Sequence, residues 1–246
     1  MNKDLQLKKN ETHFIFLVCG DEQTGKKTIV NNFLQNYNLE SKEDKITYTS
    51  YRFHFDYSNQ NETLSIPAEI RVLNSEEFSS DLKSLKQFYE GALGAFVVVS
   101  LEDFKYFTDG IKWKENIDYM CCLPNKFPLP IVLLINKCDK IEETKRREWI
   151  EKLNIESYYK ENQFFAKFYL NNSDSIHTEK KIMKDENEEQ NNKEEEIYTD
   201  MRLPFSAIYN FVLEFGDIKS LFNDNGSGAN KKRVDNGNKK KDCIIF

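Results

Sequence analysis

Residues 13–28 read HFIFLVCGDEQTGKKT, an apolar run that ends at a glycine and continues through charged residues to a second glycine. The run from His13 to Cys19 predicts a buried strand rather than a helix, because it is short and rich in aromatic and β-branched residues. After Gly25 the apolar residues recur at helical spacing, at Ile29, Val30, Phe33 and Leu34. The stretch therefore predicts a strand, a glycine-containing loop and a helix, in that order.

The loop between this strand and helix fits the Gly-x4-Gly-Lys frame, in which backbone amides and a lysine bind phosphates. The candidate phosphate-binding residues are Gly20, Gln23, Thr24, Gly25, Lys26, Lys27 and Thr28. The alternative is an ordinary strand-to-helix turn without a ligand.

The metal position of this frame departs from the usual pattern. The frame places Ser or Thr directly after the lysine to coordinate Mg²⁺, but Lys27 stands there and Thr28 follows one place late. A protonated lysine cannot coordinate a metal ion, although a second ammonium can partly neutralise phosphate charge. The Mg²⁺ site is therefore in question, and Thr28 remains a candidate ligand.

A second loop, Asn136-Lys137-Cys138-Asp139, follows the apolar run IVLLI. Unbroken apolar runs are typical of parallel strands covered on both faces, and ligands of such sheets bind beyond the carboxyl ends of the strands. The Asp139 carboxylate can accept two hydrogen bonds from N1 and the exocyclic amine of guanine, a pair that adenine lacks. Asn136, Lys137 and Asp139 are the candidate guanine-binding residues. The alternative is a turn that caps the next helix.

The remaining segments alternate between strand and helix patterns. The predicted strands are 51–57, 64–73 with Pro67 at an edge or bulge, 94–100, 131–135 and 164–170; the predicted helices are 104–119, 143–153 and one opened by Pro204. This alternation predicts an α/β fold with a doubly wound, mostly parallel sheet and an antiparallel edge.

The chain of 246 residues, 39% hydrophobic, is long enough for one packed core with appendages. We expect an N-terminal extension at 1–12, one domain at 13–222 and a flexible basic tail at 223–246. Within the domain, residues from about 171 to 200 are acidic and polar, and cannot bury enough apolar surface to order themselves. The net charge of −6 argues against nucleic acid as a partner. No signal peptide or membrane-spanning run is visible, which predicts a cytosolic chain.

The chain ends in Cys243-Ile244-Ile245-Phe246, a cysteine four places from the end followed by two aliphatic residues. This pattern predicts prenylation of Cys243, and the lysines at 239–241 suit an anionic membrane surface. The alternative is an accidental cysteine. We expect the protein on the cytoplasmic face of intracellular membranes, cycling with the cytosol.

The two loops, together with residues 88–139, resemble the Rab branch of the Ras-like small GTPase superfamily. The resemblance rests on FYEGALGAFVVVS from Phe88, WKENID from Trp113 and LPNKFPLPIVLLINKCD from Leu123, and is nearest to the Rab subgroup of lysosome-related organelles. It implies a P-loop small GTPase fold, GTP or GDP as ligand, and effector and regulator proteins as partners in vesicle trafficking.

The segment of the second switch departs from the family pattern. The family's Asp-x-x-Gly-Gln falls on residues 74–78, so its metal-bridging Asp becomes Asn74 and its γ-phosphate-sensing Gly becomes Glu77. Its water-orienting Gln becomes Phe78, and a phenyl ring cannot orient a water molecule. The departure implies slow or impaired GTP hydrolysis.

Other family positions also differ. The threonine of the first switch maps to Thr49 or Ser50, and the Ser-Ala-Lys loop is represented by Ser173 alone. Glu22 stands where the phosphate loop has a small residue, which brings negative charge towards the γ-phosphate.

Two functions fit these observations. The first is a GTPase switch with weakened catalysis, and the second is a membrane-tethered pseudo-GTPase that docks partners without nucleotide turnover. An ATP-dependent P-loop kinase would leave residues 136–139 without a role.

Overall fold

The structure, a computed structural model, describes residues 13–45, 47–58, 63–73, 82–170, 198–199 and 201–215. Within these residues eight strands form one sheet. The strands are β1 (Phe14–Cys19), β2 (Leu39–Asp44), β3 (Tyr48–Ser58), β4 (Thr63–Leu73), β5 (Ala92–Ser100), β6 (Ile131–Asn136), β7 (Ala166–Leu170) and β8 (Tyr198–Thr199). The helices are α1 (Lys26–Leu34), α2 (Leu82–Tyr89), α3 (Lys105–Met120), α4 (Glu143–Lys152), α5 (Ile155–Glu161) and α6 (Arg202–Phe215).

The strand order is β2-β3-β4-β1-β5-β6-β7-β8. Neighbouring strands from β4 across to β8 run parallel, whereas β3 is antiparallel to β4 and β2 is antiparallel to β3. The predicted α/β fold, with a mostly parallel sheet and an antiparallel edge, is confirmed. Every residue of the interior strands β5 and β6 is buried, as their unbroken apolar runs predict.

Two close contacts on β5 show that helices cover both faces of the sheet. A Cβ added to Gly94 would lie 2.3 Å from Cγ2 of Ile208, so α6 packs directly against this strand. A Cβ added to Gly110 of α3 would lie 2.8 Å from Cγ1 of Val99. Because Gly94 and Val99 are an odd number of residues apart, they face opposite sides of the strand. The sheet is therefore doubly wound.

Phe205 of α6 lies at the centre of an aromatic cluster. Its ring centroid is 4.6 Å from that of Phe16, 5.1 Å from that of Phe33 and 5.1 Å from that of Phe55. All four side chains are buried, and each such burial contributes roughly 1.5–3 kcal/mol. The cluster fixes α1 against the sheet and so determines where the loop before it lies.

Pro67 lies in β4, an interior strand, but at a place where only one neighbour pairs with it. It is opposite His54 of β3 in a continuous antiparallel register without a bulge. Pairing of β4 with β1 begins one residue later, at Ala68. The missing N–H of Pro67 is therefore tolerated at a local edge of the sheet.

The C-terminal part of the domain differs in two details from the sequence prediction. The last helix begins at Arg202, so Pro204 lies inside its first turn, where backbone N–H groups have no helical partner in any case. Tyr198 and Thr199, predicted within the acidic insert, form β8 and pair with β7. Ile208 and Val212 are buried, as their helical spacing predicts.

Several predicted features lie outside the described residues. These are the extension at 1–12, the second-switch segment at 74–78, the acidic insert from 171 to 197 with Ser173, and the tail with Cys243. Among the described helices, none combines the length and the apolar character that crossing a bilayer requires.

Candidate nucleotide-binding site

The two glycines of the phosphate-binding frame occupy backbone positions that other residues would strain. Gly20 follows β1 with φ of 141°, and a Cβ there would lie 2.2 Å from the carbonyl oxygen of Val98. Gly25 precedes α1 with φ of 89°. Both conformations favour glycine because it has no side chain to clash. The loop between them thus has the tight turn that the frame predicts.

Lys26 is buried beneath the loop. Its Nζ donates to the carbonyl oxygens of Gly20 at 2.6 Å and of Asp21 at 2.5 Å. The Thr24 hydroxyl donates to the same Asp21 carbonyl at 2.9 Å. These bonds hold a positive charge on the inner side of the loop, where phosphate oxygens bind in loops of this shape.

The start of α1 adds further positive character. Lys27 is exposed in the first turn, Thr28 is half-buried behind it, and this turn contains no acidic residue. A cation at a helix N-terminus is unfavourable by itself, because the helix dipole already places partial positive charge there. An anion bound at this point would relieve the repulsion. Glu22 is exposed in the same loop and carries a negative charge, opposite to that of Lys27.

Asn136 joins the two predicted loops. It is the last residue of β6, is fully buried, and donates from Nδ2 to the carbonyl oxygen of Thr24 at 2.8 Å. The two residues are 112 positions apart in sequence. The fold therefore brings the phosphate-binding loop and the guanine-binding candidates to one edge of the sheet.

The rest of the second loop is compact. Lys137 has φ of 60°, and its Nζ lies 2.6 Å from Oε2 of Glu102 in the loop after β5. The hydrogen bond and charge of Lys137 hold the pKa of Glu102 below its ordinary value. Cys138 is buried, and Asp139 is half-buried in a short 3-10 turn that spans Cys138–Lys140.

Sequence reasoning missed one partner of the phosphate loop. Trp113 of α3 is buried, and its Nε1 donates to Oδ1 of Asp21 at 2.8 Å. The helical spacing of Phe107, Gly110, Trp113 and Ile117 could have indicated burial of the indole. It contains no information about the polar partner, which is 92 positions away.

The first-switch candidates Thr49 and Ser50 both lie in β3. Thr49 is buried and donates to Oδ1 of Asp44 in β2 at 2.8 Å, and Ser50 is buried and donates to Oε1 of Glu69 in β4 at 2.9 Å. The two hydroxyls are thus held by carboxylates within the sheet. The segment before them forms the edge strand β2, which pairs with β3.

The positions that usually hold magnesium differ here at Lys27, Thr49 and Ser50, and Thr28 at the start of α1 stays the candidate ligand. Lys27 takes the place of the loop's hydroxyl ligand, and Thr49 and Ser50 are engaged elsewhere. Among the described residues, no group of three or more His, Cys, Asp or Glu side chains could hold a metal ion.

A charged cluster connects β3 and β4 to α2. Glu69 accepts from Nε of Arg71 at 2.7 Å and from Nε of Arg52 at 3.2 Å. Arg71 also donates from Nη1 to carbonyl oxygens at the end of α2, those of Gln87, Phe88 and Glu90, at 2.5, 3.1 and 2.8 Å. Burial acts to raise the pKa of Glu69, but the bonds and charge of Arg71, with those from Ser50 and Arg52, lower it overall.

Known proteins resemble this chain over more than half of its length. Rab-32 of Homo sapiens is 26% identical over 166 residues, which is 68% of this chain and 70% of that protein. Rab-32A of Dictyostelium discoideum is 28% identical over 174 residues, 70% and 75% of the two chains. Rab-7L1 of Homo sapiens is 26% identical over 144 residues, 58% and 68% of the two chains.

The family match covers the whole site from β1 to β7. The Ras family matches residues 15–169, a segment that includes the phosphate loop, Asn136 and Asp139. The resemblance predicted from residues 88–139 is thereby confirmed. The chain belongs to the Ras family and, within it, to the Rab branch of small GTPases.

Proposed function

We propose that this chain is a Rab-like guanine-nucleotide-binding protein, tethered to the cytoplasmic face of intracellular membranes and acting in vesicle trafficking, with slow or impaired GTP hydrolysis. The hydrogen bond from Asn136 to Thr24 is the observation that supports it most strongly, because it builds one site from two loops.

Each loop has a distinct role in this proposal. The phosphate loop supplies the Lys26 ammonium, the backbone amides before α1 and the exposed charge of Lys27, which together suit the phosphates of GDP or GTP. Asp139 accepts the two guanine N–H groups, and Asn136 holds the loops in register. The ion pair with Glu102 fixes Lys137 between Asn136 and Asp139 in the sequence of the second loop.

Impaired hydrolysis is inferred from two positions where the sequence departs from the family pattern. Phe78 replaces the water-orienting Gln by alignment with the family, and Lys27 replaces the hydroxyl that would coordinate Mg²⁺. Without that Gln and that hydroxyl, both the positioning of the attacking water and the stabilisation of charge by the metal ion are weakened, and these are the main contributions to phosphoryl transfer.

A pseudo-GTPase that docks partners is a second candidate, and the hairpin of β2 and β3, which contains the first-switch candidates, favours it. The bonds of Thr49 to Asp44 and of Ser50 to Glu69 keep β3 in the sheet without any contribution from a nucleotide. A partner that binds this hairpin would meet the same surface whichever nucleotide is bound.

A competition assay tests guanine binding. Fluorescent GDP bound to the full chain is challenged with GDP, ADP and IDP, which lacks the exocyclic amine. We expect GDP to compete best, and Asp139→Ala to reduce the preference for GDP by about tenfold or more, since a charged acceptor is lost. Glu142→Gln, which removes an exposed carboxylate close by on the same segment, is the matched control.

The outcome separates the two parts of the proposal. Unchanged preference in Asp139→Ala would show that the second loop does not recognise guanine. Tight and selective binding of GDP, with no measurable GTP hydrolysis in a single-turnover assay, would favour the pseudo-GTPase.

A further inference from the structure

We propose that Trp113 and Asp21 are positioning residues of the nucleotide site, which set the shape of the phosphate loop and thereby hold the bound nucleoside diphosphate or triphosphate. The inference rests on the proposed retention of guanine nucleotide. It concerns residues outside the phosphate-binding and guanine-binding sets.

The helix that carries Trp113 is firmly fixed to the sheet. Gly110, one turn earlier, lies so close to β5 that an added Cβ would be 2.8 Å from Val99 and 3.0 Å from the Tyr158 hydroxyl. That hydroxyl donates to the carbonyl oxygen of Phe107 on the same helix. The indole of Trp113 is only 4% exposed, so it has little freedom to move.

Asp21 links this fixed helix to the residues that face the phosphates. Its carboxylate accepts the indole N–H at 2.8 Å, and its backbone carbonyl accepts from both Lys26 and Thr24. The residue is 8% exposed. A shift of Asp21 would therefore move the Lys26 ammonium, which is the charge that phosphate oxygens meet.

The bond also directs a negative charge away from the phosphates. A carboxylate within a phosphate-binding loop would repel an anionic ligand if it turned inwards. The indole N–H, a donor that cannot accept, together with a side-chain hydrogen bond between Asp21 and Asp109, holds the Asp21 carboxylate on the side of α3. A preformed loop loses less free energy in ordering when a ligand binds.

The dissociation rate of fluorescent GDP from the full-length chain tests this role. Trp113→Phe keeps an aromatic ring but removes the N–H, and Asp21→Ala removes the acceptor. We expect each variant to release GDP about 10- to 100-fold faster, the range for a lost hydrogen bond to a charged group. The double variant should lose no more than the stronger single variant, because both changes break the same bond. Asp21→Asn, which retains an oxygen acceptor, should recover part of the loss.

A spectroscopic measurement separates positioning from mere stabilisation. The chain contains two tryptophans, so Trp149→Phe leaves Trp113 as the sole indole. This control should release GDP at the wild-type rate, and its fluorescence should change when GDP is removed. The change should disappear when Asp21→Ala is added. A purely structural role would lower the unfolding temperature without abolishing this signal.

Three results would count against the inference or its basis. A wild-type chain that binds no guanine nucleotide would overturn the proposed function and this inference with it. Tight GDP binding with wild-type release from Trp113→Phe would overturn this inference alone. Additive losses in the double variant would show that the two residues act separately, which also contradicts it.

Discussion

The side-chain amide of Asn136 donates to the backbone carbonyl of Thr24 at 2.8 Å, although the two residues are 112 positions apart. Asn136 ends β6 and Thr24 lies in the loop after β1, and β5 separates these strands in the sheet. Both residues are buried. The bond is therefore a direct link between the candidate phosphate-binding loop and the candidate guanine-binding loop.

Asn136→Ala should weaken GDP binding and destabilise the fold together. Removing the amide leaves the buried Thr24 carbonyl without this donor, which costs about 1–3 kcal/mol. We expect a comparable loss in the free energy of unfolding and at least about tenfold weaker GDP binding. Urea unfolding and equilibrium titration measure the two effects. Asn125→Ala, which removes a hydrogen bond with the Phe127 N–H in the turn before β6, serves as the control. Equal GDP affinity in both variants would contradict the role of Asn136.

Lys26→Met and Lys27→Gln should differ in their effect on nucleotide affinity. Lys26 is buried and anchored to the loop, whereas Lys27 is exposed at the start of α1. We expect Lys26→Met to weaken GDP and GTP by about tenfold or more, since it removes a desolvated charge, and Lys27→Gln to have a smaller effect that salt diminishes. Calorimetry at low and high ionic strength distinguishes them. Equal losses would mean that the buried ammonium has no special role.

GTP hydrolysis should be no faster than the roughly 10⁻⁴ per second of an unassisted small GTPase. Phe78 cannot orient water, and Lys27 cannot coordinate Mg²⁺. A single-turnover assay with and without a chelator measures the rate. Much faster hydrolysis that the chelator abolishes would show that Thr28 or another residue holds the metal, and a Phe78→Gln variant would show whether the water position can be restored.

Arg71→Met should destabilise the fold strongly. It removes one partner of the buried Glu69 carboxylate and the three hydrogen bonds from Nη1 to carbonyl oxygens at the end of α2. Breaking one side of a buried ion pair costs about 3–5 kcal/mol. Urea unfolding at neutral pH measures this loss. Arg52→Met should lower the free energy of unfolding by less, because the bond from Arg52 to Glu69 is longer and the Arg52 side chain is half-exposed.

The pH dependence of stability should identify Glu69. Its pKa is lower in the folded chain than the ordinary value of 4.5, so the ionised form stabilises the fold above that pH. This contribution is lost as the pH falls through the folded pKa. The unfolding free energies of wild type and Glu69→Gln should therefore differ most near neutral pH and converge in acid. A constant difference across this range would contradict the assignment.

The strand and helix order around the site could be predicted from the sequence because its patterns are strong. The runs before Gly20 and Asn136 are short, apolar and unbroken, and both became interior parallel strands. The edge strand β2 could not be predicted in this way. Its residues, LESKED, are all exposed, so no alternation of buried and exposed positions marks it as a strand.

The polar partners within the site were also beyond reach of sequence patterns. Asp21 reads as an ordinary loop acid, and only the packing of α3 at Gly110 brings Trp113 to it. Likewise, Glu69 and Arg71 occur in a stretch predicted as a strand, but the partners of Arg71 at the end of α2 follow from the tertiary fold. Long-range polar contacts carry no periodic signal.

Membrane attachment remains a prediction from the tail alone. Cys243→Ser should leave the protein soluble, whereas changing the lysines at 239–241 to Gln should weaken or redistribute membrane binding without blocking lipidation. Cell fractionation with intact-mass analysis of the C-terminus tests both. Wild-type membrane association of Cys243→Ser would point to another targeting element.

The nucleotide carried by the purified full-length chain is the most direct measure of guanine binding with weak hydrolysis. The protein is denatured after rapid purification, and the released nucleotide is identified and quantified by ion-exchange chromatography. We predict near-stoichiometric guanine nucleotide, with a substantial share still present as GTP. A chain that releases adenine nucleotide, or none at all, would contradict the account.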